Sequence, residues 1–140
     1  MIRFIVVFNA PAFCLNLARR PDRRLQAWRR FRLERLEVVR VEAPDAAGVD
    51  EARGWRNKGA RACAAGHRLA WRAARKRGTE AVLVFEDDVV LCRGFRQRLE
   101  ELDLPEDWKM VYLGCTFRDV PEPVSPGLVR VRGRTWATHA

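Results

Sequence analysis

The sequence predicts an α/β fold built on a largely parallel sheet, and three observations carry that prediction. Short apolar segments alternate with helical ones along the chain. The run Ala81-Val82-Leu83-Val84-Phe85 is apolar at every position, as a strand covered on both faces must be. The segment before it, from about Lys58 to Arg77, is strongly amphipathic and stops at Gly78, a residue suited to a helix C-terminus.

The elements follow in order. Phe13-Cys14-Leu15-Asn16-Leu17 reads as a short strand, and Ala18 to Arg20 as a loop. Pro21 fits the first position of a helix, where its missing N–H costs nothing, and Asp22 favours the positive end of the helix dipole. Leu25, Trp28 and Phe31 recur along one face of that helix. Val38 to Val41 is a second strand, and Ala46 to Trp55 a loop. On the long helix, Ala60, Cys63, Ala64, His67, Ala70, Trp71 and Ala74 share the apolar face, opposite an arginine-rich one. After the strand Ala81 to Phe85 comes a short helix with Phe95, Leu99 and Leu102 inward. Met110-Val111-Tyr112-Leu113 reads as a fourth strand, Val120 to Gly127 as a proline-rich loop, and Leu128 to Val131 as a last short strand.

Composition narrows the function. With 140 residues, 48% hydrophobic and 32% charged, the chain suits one globular domain, residues 1–140. No apolar stretch reaches the ~20 residues that span a bilayer, and the apolar start from Met1 to Phe13 reads as a strand or an unreliable start rather than a signal peptide. The net charge of +9 raises nucleic-acid binding, but arginine outnumbers lysine 24 to 3 and is spread over the whole length, so no nucleic-acid partner is expected. Cys14, Cys63, Cys92 and Cys115 form no C-x-x-C pair, so neither a zinc ribbon nor a disulfide framework is expected; Cys14 and Cys63 read as small core residues in a reducing compartment. The glycine-rich phosphate fingerprints and the G-x-S-x-G elbow are absent, which removes the simplest dinucleotide, NTPase and serine hydrolase readings.

Glu86-Asp87-Asp88, at the end of the apolar run, carries the chemistry. Three carboxylates cannot be buried unpaired, since each would cost several kcal/mol. In open α/β sheets ligands bind beyond the carboxyl ends of the strands. Hard oxygen ligands there suit Mg2+ or Mn2+, ions that commonly carry a phosphate-bearing substrate. The competing reading is an acidic turn that only solubilises the strand end.

Four segments resemble glycosyltransferase family 25, the group of lipooligosaccharide and collagen galactosyltransferases. They are Leu15-Asn16-Leu17 with Arg19 to Arg24, Gly59 to Trp71 with Cys63 and His67, Val82 to Val89 around Phe85-Glu86-Asp87-Asp88, and Trp108 to Gly114. Arg40-Val41-Glu42-Ala43 with Asp45 resembles the family's segment between the first helix and the Cys–His helix. The resemblance runs from Cys14 to the end and implies a GT-A-type, Rossmann-like half that binds a nucleotide sugar. It also implies an acidic motif that holds a divalent metal (Mn2+ or Mg2+) on the diphosphate, and inversion at the anomeric carbon. UDP-galactose is the favoured donor, with a lipooligosaccharide or other bacterial surface glycan as acceptor. Carried over position by position, Glu86, Asp87 and Asp88 are the metal ligands, Asp88 first among them. Asn16 and Leu17 border the nucleotide, Arg19, Arg20 and Arg23 face diphosphate or base, and His67 matches the family's histidine. Taken singly, each arginine also reads as an exposed charge, and His67 as a core residue of its helix face.

Two departures stand out. Gly66 occupies the place of a family serine, through close packing or loss of function, and Thr138-His139-Ala140 resembles a Thr-His-x-Tyr segment cut short. A partial, donor-binding domain is therefore expected, with no nameable general base and an uncovered sheet edge that favours self-association. The expected place is the cytoplasm, including peripheral contact with the inner face of the membrane. The alternatives are a truncated relative that binds without turnover and, last, a basic nucleic-acid-binding module.

Overall fold

Strand β1, Ala12–Asn16, is buried at all five positions, so both of its faces must be covered. Alternation sends Ala12, Cys14 and Asn16 to one face and Phe13 and Leu15 to the other. The computed structural model, which describes residues 10–51, 54–117, 119–131 and 135–136, supplies a helix for each face. The start from Met1 to Asn9 and the end Thr138-His139-Ala140, both weighed above, lie outside the described residues.

Helix α1, Pro21–Leu33, has Pro21 in its first turn as expected. Its Ala27 and Phe31 pack with Ala12, Cys14, Phe85 and Val89 on the first face. Trp28 meets Phe31 edge to face, and Phe31 lies against Phe85 at 5.2 Å between ring centroids. Leu25, expected inward, is 55% exposed; the inward stripe runs through Ala27 and Phe31 instead. The helix ends with Leu36 N–H on the Phe31 carbonyl, a Schellman closure that places Arg35 at φ 53°.

Strand β2, Val38–Glu42, and strand β3, Leu83–Glu86, pair in parallel on either side of β1, giving the order β2-β1-β3. A single 3₁₀ turn, Ala46–Gly48, capped by the Asp45 carboxylate, interrupts the expected loop. Helix α2, Lys58–Lys76, is capped by the Asn57 side chain, which accepts from Ala60 N–H, and terminates before Gly78 at φ 68°. It covers the second face, with Ala70 and Ala74 on Phe13 and Leu15. Its buried stripe is Ala62, Gly66, Ala70 and Ala74, rotated from the expected one, and Trp71 is 42% exposed. The stripe is made of small residues because the helix lies close to the sheet: a Cβ on Gly66 would sit 3.3 Å from Leu15 Cδ1 and 3.6 Å from Pro44 Cδ. The result is a Rossmann-like half, a three-stranded parallel sheet flanked by helices.

Beyond β3 the prediction holds less well. Helix α3, Phe95–Glu100, is present, with Leu99 buried and Phe95 against Phe85. Met110 to Leu113 is not a strand; it joins no sheet edge, and Met110, Tyr112 and Leu113 are about half exposed. The proline-rich stretch instead contributes β5, Glu122–Ser125, which pairs antiparallel with β6, Leu128–Arg130. Pro126-Gly127 turns the hairpin, with Gly127 at φ 78°, as Pro-Gly favours at the corners of a type II turn. A two-residue strand β4, Thr116–Phe117, pairs with β7, Thr135–Trp136.

Candidate functional site

The parallel sheet aims the carboxyl ends of β1 and β3 at the same edge, which brings Asn16 beside the acidic turn. The Asn16 side chain is 1% exposed and fully engaged. Its amide N–H groups donate to Asp87 Oδ2 at 2.7 Å and to the Arg20 carbonyl at 3.0 Å. Its Oδ1 accepts from Arg40 Nε at 3.0 Å. An asparagine can make all three bonds, whereas an aspartate could not donate to a carboxylate. Among the described residues no buried side-chain nitrogen or oxygen lacks a partner.

The acidic turn splits three ways. Asp87 is 7% exposed and points under the end of β1, where Asn16 and Arg23 Nη1, at 3.4 Å, offset its burial. Asp88 is half-buried and takes Arg23 Nη1 at 3.1 Å, so one guanidinium from the first turn of α1 bridges both carboxylates. Glu86 turns to the opposite face, toward α2. There its Oε1 lies 3.5 Å from His67 Nε2 and 3.6 Å from Cys63 Sγ. Burial, reinforced by the charge of Glu86, pushes the Cys63 thiol up to about 12. The strand bearing this turn lies at one side of the three-stranded sheet, not at its centre.

The other expected donor residues surround the edge without all joining it. Leu17 is half-buried in the turn that links β1 to α1, where Arg20 N–H bonds its carbonyl at 2.9 Å. Arg20 pairs with Asp22 at 2.7 Å and holds its carboxyl well down, to about 2. Arg19 is exposed and pairs with Asp45, whose carboxyl it lowers. Arg23 reaches the carboxylates, while Arg19 and Arg20 lie at the rim. His67 stands on the α2 side with Glu86, its ring 6.3 Å from that of Trp71.

Arg40, quoted above only within a family-like segment and given no role there, joins this hydrogen-bonded cluster. The signal was there: a cation inside the apolar run Val38-Val39-Arg40-Val41 needs an acceptor, and Asn16 supplies it. A groove of about 630 Å³ adjoins it, lined by Pro21, Arg24, Leu25, Trp28, Val38 and Arg40. A second cleft, of about 720 Å³, lies between the segment from Pro105 to Cys115 and the β5–β6 hairpin; none of the candidate residues lines it.

With this geometry in view, the likeness to known proteins can be placed on it. The family model for glycosyltransferase family 25 (LPS biosynthesis protein) matches residues 9–116, the stretch that holds the sheet, both long helices and the acidic turn. Mouse procollagen galactosyltransferase 2 is 30% identical, with 79% of this chain covered. The inactive glycosyltransferase 25 family member 3 of mouse is 32% identical with 91% of the chain covered, and its human counterpart 34% identical with 73% covered. The chain spans only 21% to 26% of the length of these relatives. No solved structure gives a significant match. Matched over most of its length by the family model, and by relatives that carry the family's name, the chain belongs to glycosyltransferase family 25.

Proposed function

We propose that this chain binds a nucleotide sugar, UDP-galactose first, at the carboxyl ends of β1 and β3, and supplies the donor side of an inverting, metal-dependent sugar transfer to a surface glycan. The observation that carries the reading is the linkage Asn16–Asp87–Arg23–Asp88, which fixes a half-exposed carboxylate beside a guanidinium at the ligand-binding edge of the sheet.

The donor chemistry of this edge fits Mn2+ or Mg2+. Asp88 is anionic, hard and accessible, and it is the ligand we assign. Asp87 is buried and held by Asn16 and Arg23, so we assign it to positioning the turn rather than to ligation. Glu86 faces α2. When bound, the ion would stabilise the charge that grows on the leaving diphosphate. Arg23 is placed to pass from the carboxylates to the diphosphate, a bidentate acceptor of matching shape. The groove beside Arg40 offers the Trp28 indole and two guanidinium groups to a nucleobase and its ribose. A second reading, donor binding without turnover, is favoured by the relatives whose names mark them as inactive.

Calorimetry with UDP-galactose tests the proposal. Binding is expected with Mn2+ present, weakened more than about tenfold by Asp88→Asn and nearly unchanged by that substitution without metal. Equal affinities of both proteins with Mn2+ would overturn the role of Asp88. Galactose transfer to a glycan acceptor by the wild-type chain would decide against the second reading.

A further inference from the structure

Cys63 and His67 stand one helical turn apart on α2 and so share a face. Glu86 reaches that face from the end of β3, and the three ligand atoms lie within 4.8 Å of one another. None of the three side chains is fully buried, so a cation can reach them. The separations from Glu86 Oε1 are 3.5 Å to His67 Nε2 and 3.6 Å to Cys63 Sγ. The first is too long for a good hydrogen bond, whose donor and acceptor lie about 2.7–3.2 Å apart. Both match the ligand–ligand edges of a tetrahedral site: metal–sulfur bonds of about 2.3 Å and metal–nitrogen or –oxygen bonds of about 2.0 Å put ligand atoms about 3.3–3.5 Å apart.

We propose that Cys63, His67 and Glu86 form a site for a borderline divalent cation such as Zn2+, with a fourth position open to water or another ligand. Thiolate and imidazole select this class of ion, whereas the carboxylate edge at Asp88 selects harder ones. The site stands apart from the donor reading and does not depend on it. Cys63 starts as a thiol, held protonated by burial and by Glu86. Binding replaces the S–H bond with a metal–sulfur bond, and the proton leaves to solvent. Such a site ties α2 to the end of β3 with coordinate bonds.

Cobalt titration of the purified 140-residue chain tests this, since Co2+ takes zinc sites and shows a thiolate-to-metal absorption band. About one equivalent of Co2+ is expected to produce the band with release of about one proton, and Zn2+ to abolish the band by taking the site without further proton release. Cys63→Ser is expected to abolish the band. His67→Gln and Glu86→Gln are expected to weaken Co2+ at least about tenfold, by analogy with the loss of even indirect supports of a metal. Asp88→Asn and Cys92→Ser are expected to leave the band intact. Thermal unfolding without metal identifies the variants that fold, and His67→Gln reads the same site if Cys63→Ser does not. No band at millimolar Co2+, or a band that survives Cys63→Ser or disappears in Cys92→Ser, would overturn the proposal.

Discussion

The side-chain amide of Asn16 donates to Asp87 at 2.7 Å across 71 positions of sequence, from the end of β1 to the turn after β3. The bond does two things at once: it fixes the strand ends relative to each other, and it leaves Asp88 as the acidic residue free to face outward. A buried carboxylate and a buried amide each need the other, because either alone would be desolvated without compensation.

Removing the amide therefore acts on stability first. Asn16→Ala is expected to destabilise the chain by about 2–3 kcal/mol, since Asp87 and Arg40 both lose a buried partner. Asn16→Asp is expected to cost more, because it sets two carboxylates against each other. Urea unfolding monitored by tryptophan fluorescence measures both. A loss under about 0.5 kcal/mol in Asn16→Ala would show that water replaces the amide without penalty.

Arg23 bridges Asp87 and Asp88, so it competes with any cation at Asp88. Arg23→Ala is expected to tighten Mn2+ binding to the nucleotide-free protein several-fold while weakening UDP binding by about tenfold or more. Electron paramagnetic titration of free Mn2+ and calorimetry of UDP separate the two effects. Loss of both affinities together would mean that the guanidinium merely holds the turn in shape.

The close approach of α2 to β1 at Gly66 sets the space available there. Gly66→Ala gains up to about 1 kcal/mol in helix propensity but presses on Leu15 and Pro44, so it is expected to change stability by less than about 1 kcal/mol. Gly66→Leu has no room and is expected to cost about 2–3 kcal/mol. Equal stabilities of Gly66→Leu and wild type in thermal unfolding would mean that the helix slides away from the sheet freely.

Cys14 is fully buried, and burial, with smaller contributions from Asp87 and Asp88, pushes its thiol up to about 12 from 9.0. The folded chain thus keeps a proton that the unfolded chain sheds above pH 9. The contribution of this thiol to stability is whole below pH 9 and is lost as pH rises toward 12. Unfolding free energy is expected to fall from pH 9 to 11, and less steeply in Cys14→Ala, by up to about 1.4 kcal/mol per pH unit. Parallel slopes in urea titrations of the two proteins would exclude Cys14 as the source.

Much of the first 100 residues was legible in sequence because each element there is specified locally. Pro21 and Gly78 mark helix ends by their own backbone chemistry, and the apolar runs at β1 and β3 specify strands covered on both sides. The faces of the helices were harder to read. Hydrophobicity put Trp71 and Leu25 inward, but the distance between helix and sheet is set by residue size: Ala62 and Gly66 join the expected Ala70 and Ala74 on one helix, and Ala27 is buried on the other. Met110 to Leu113 has strand-like residues but no partner edge, and pairing is not a property of one segment. Prolines hid the β5–β6 hairpin, although Pro-Gly is also the signature of a tight turn. The meeting of Cys63 and His67 with Glu86 was legible only in part: their helical spacing is in the sequence, but the third member arrives from another strand.

The middle position of β1 has a consequence for the chain as it is made. Its two sheet partners, β2 and β3, follow it, and the second is complete only at Glu86. At about 5–20 residues per second, the ribosome takes several seconds between Asn16 and Glu86. During that interval Phe13, Cys14 and Leu15, which end up among the most deeply buried side chains, have no sheet to join on the β3 side, and Phe13 and Leu15 wait for α2 for most of it. The nascent protein carries this apolar strand well before its partners, and shielding by the ribosome surface or a chaperone matters most in that window.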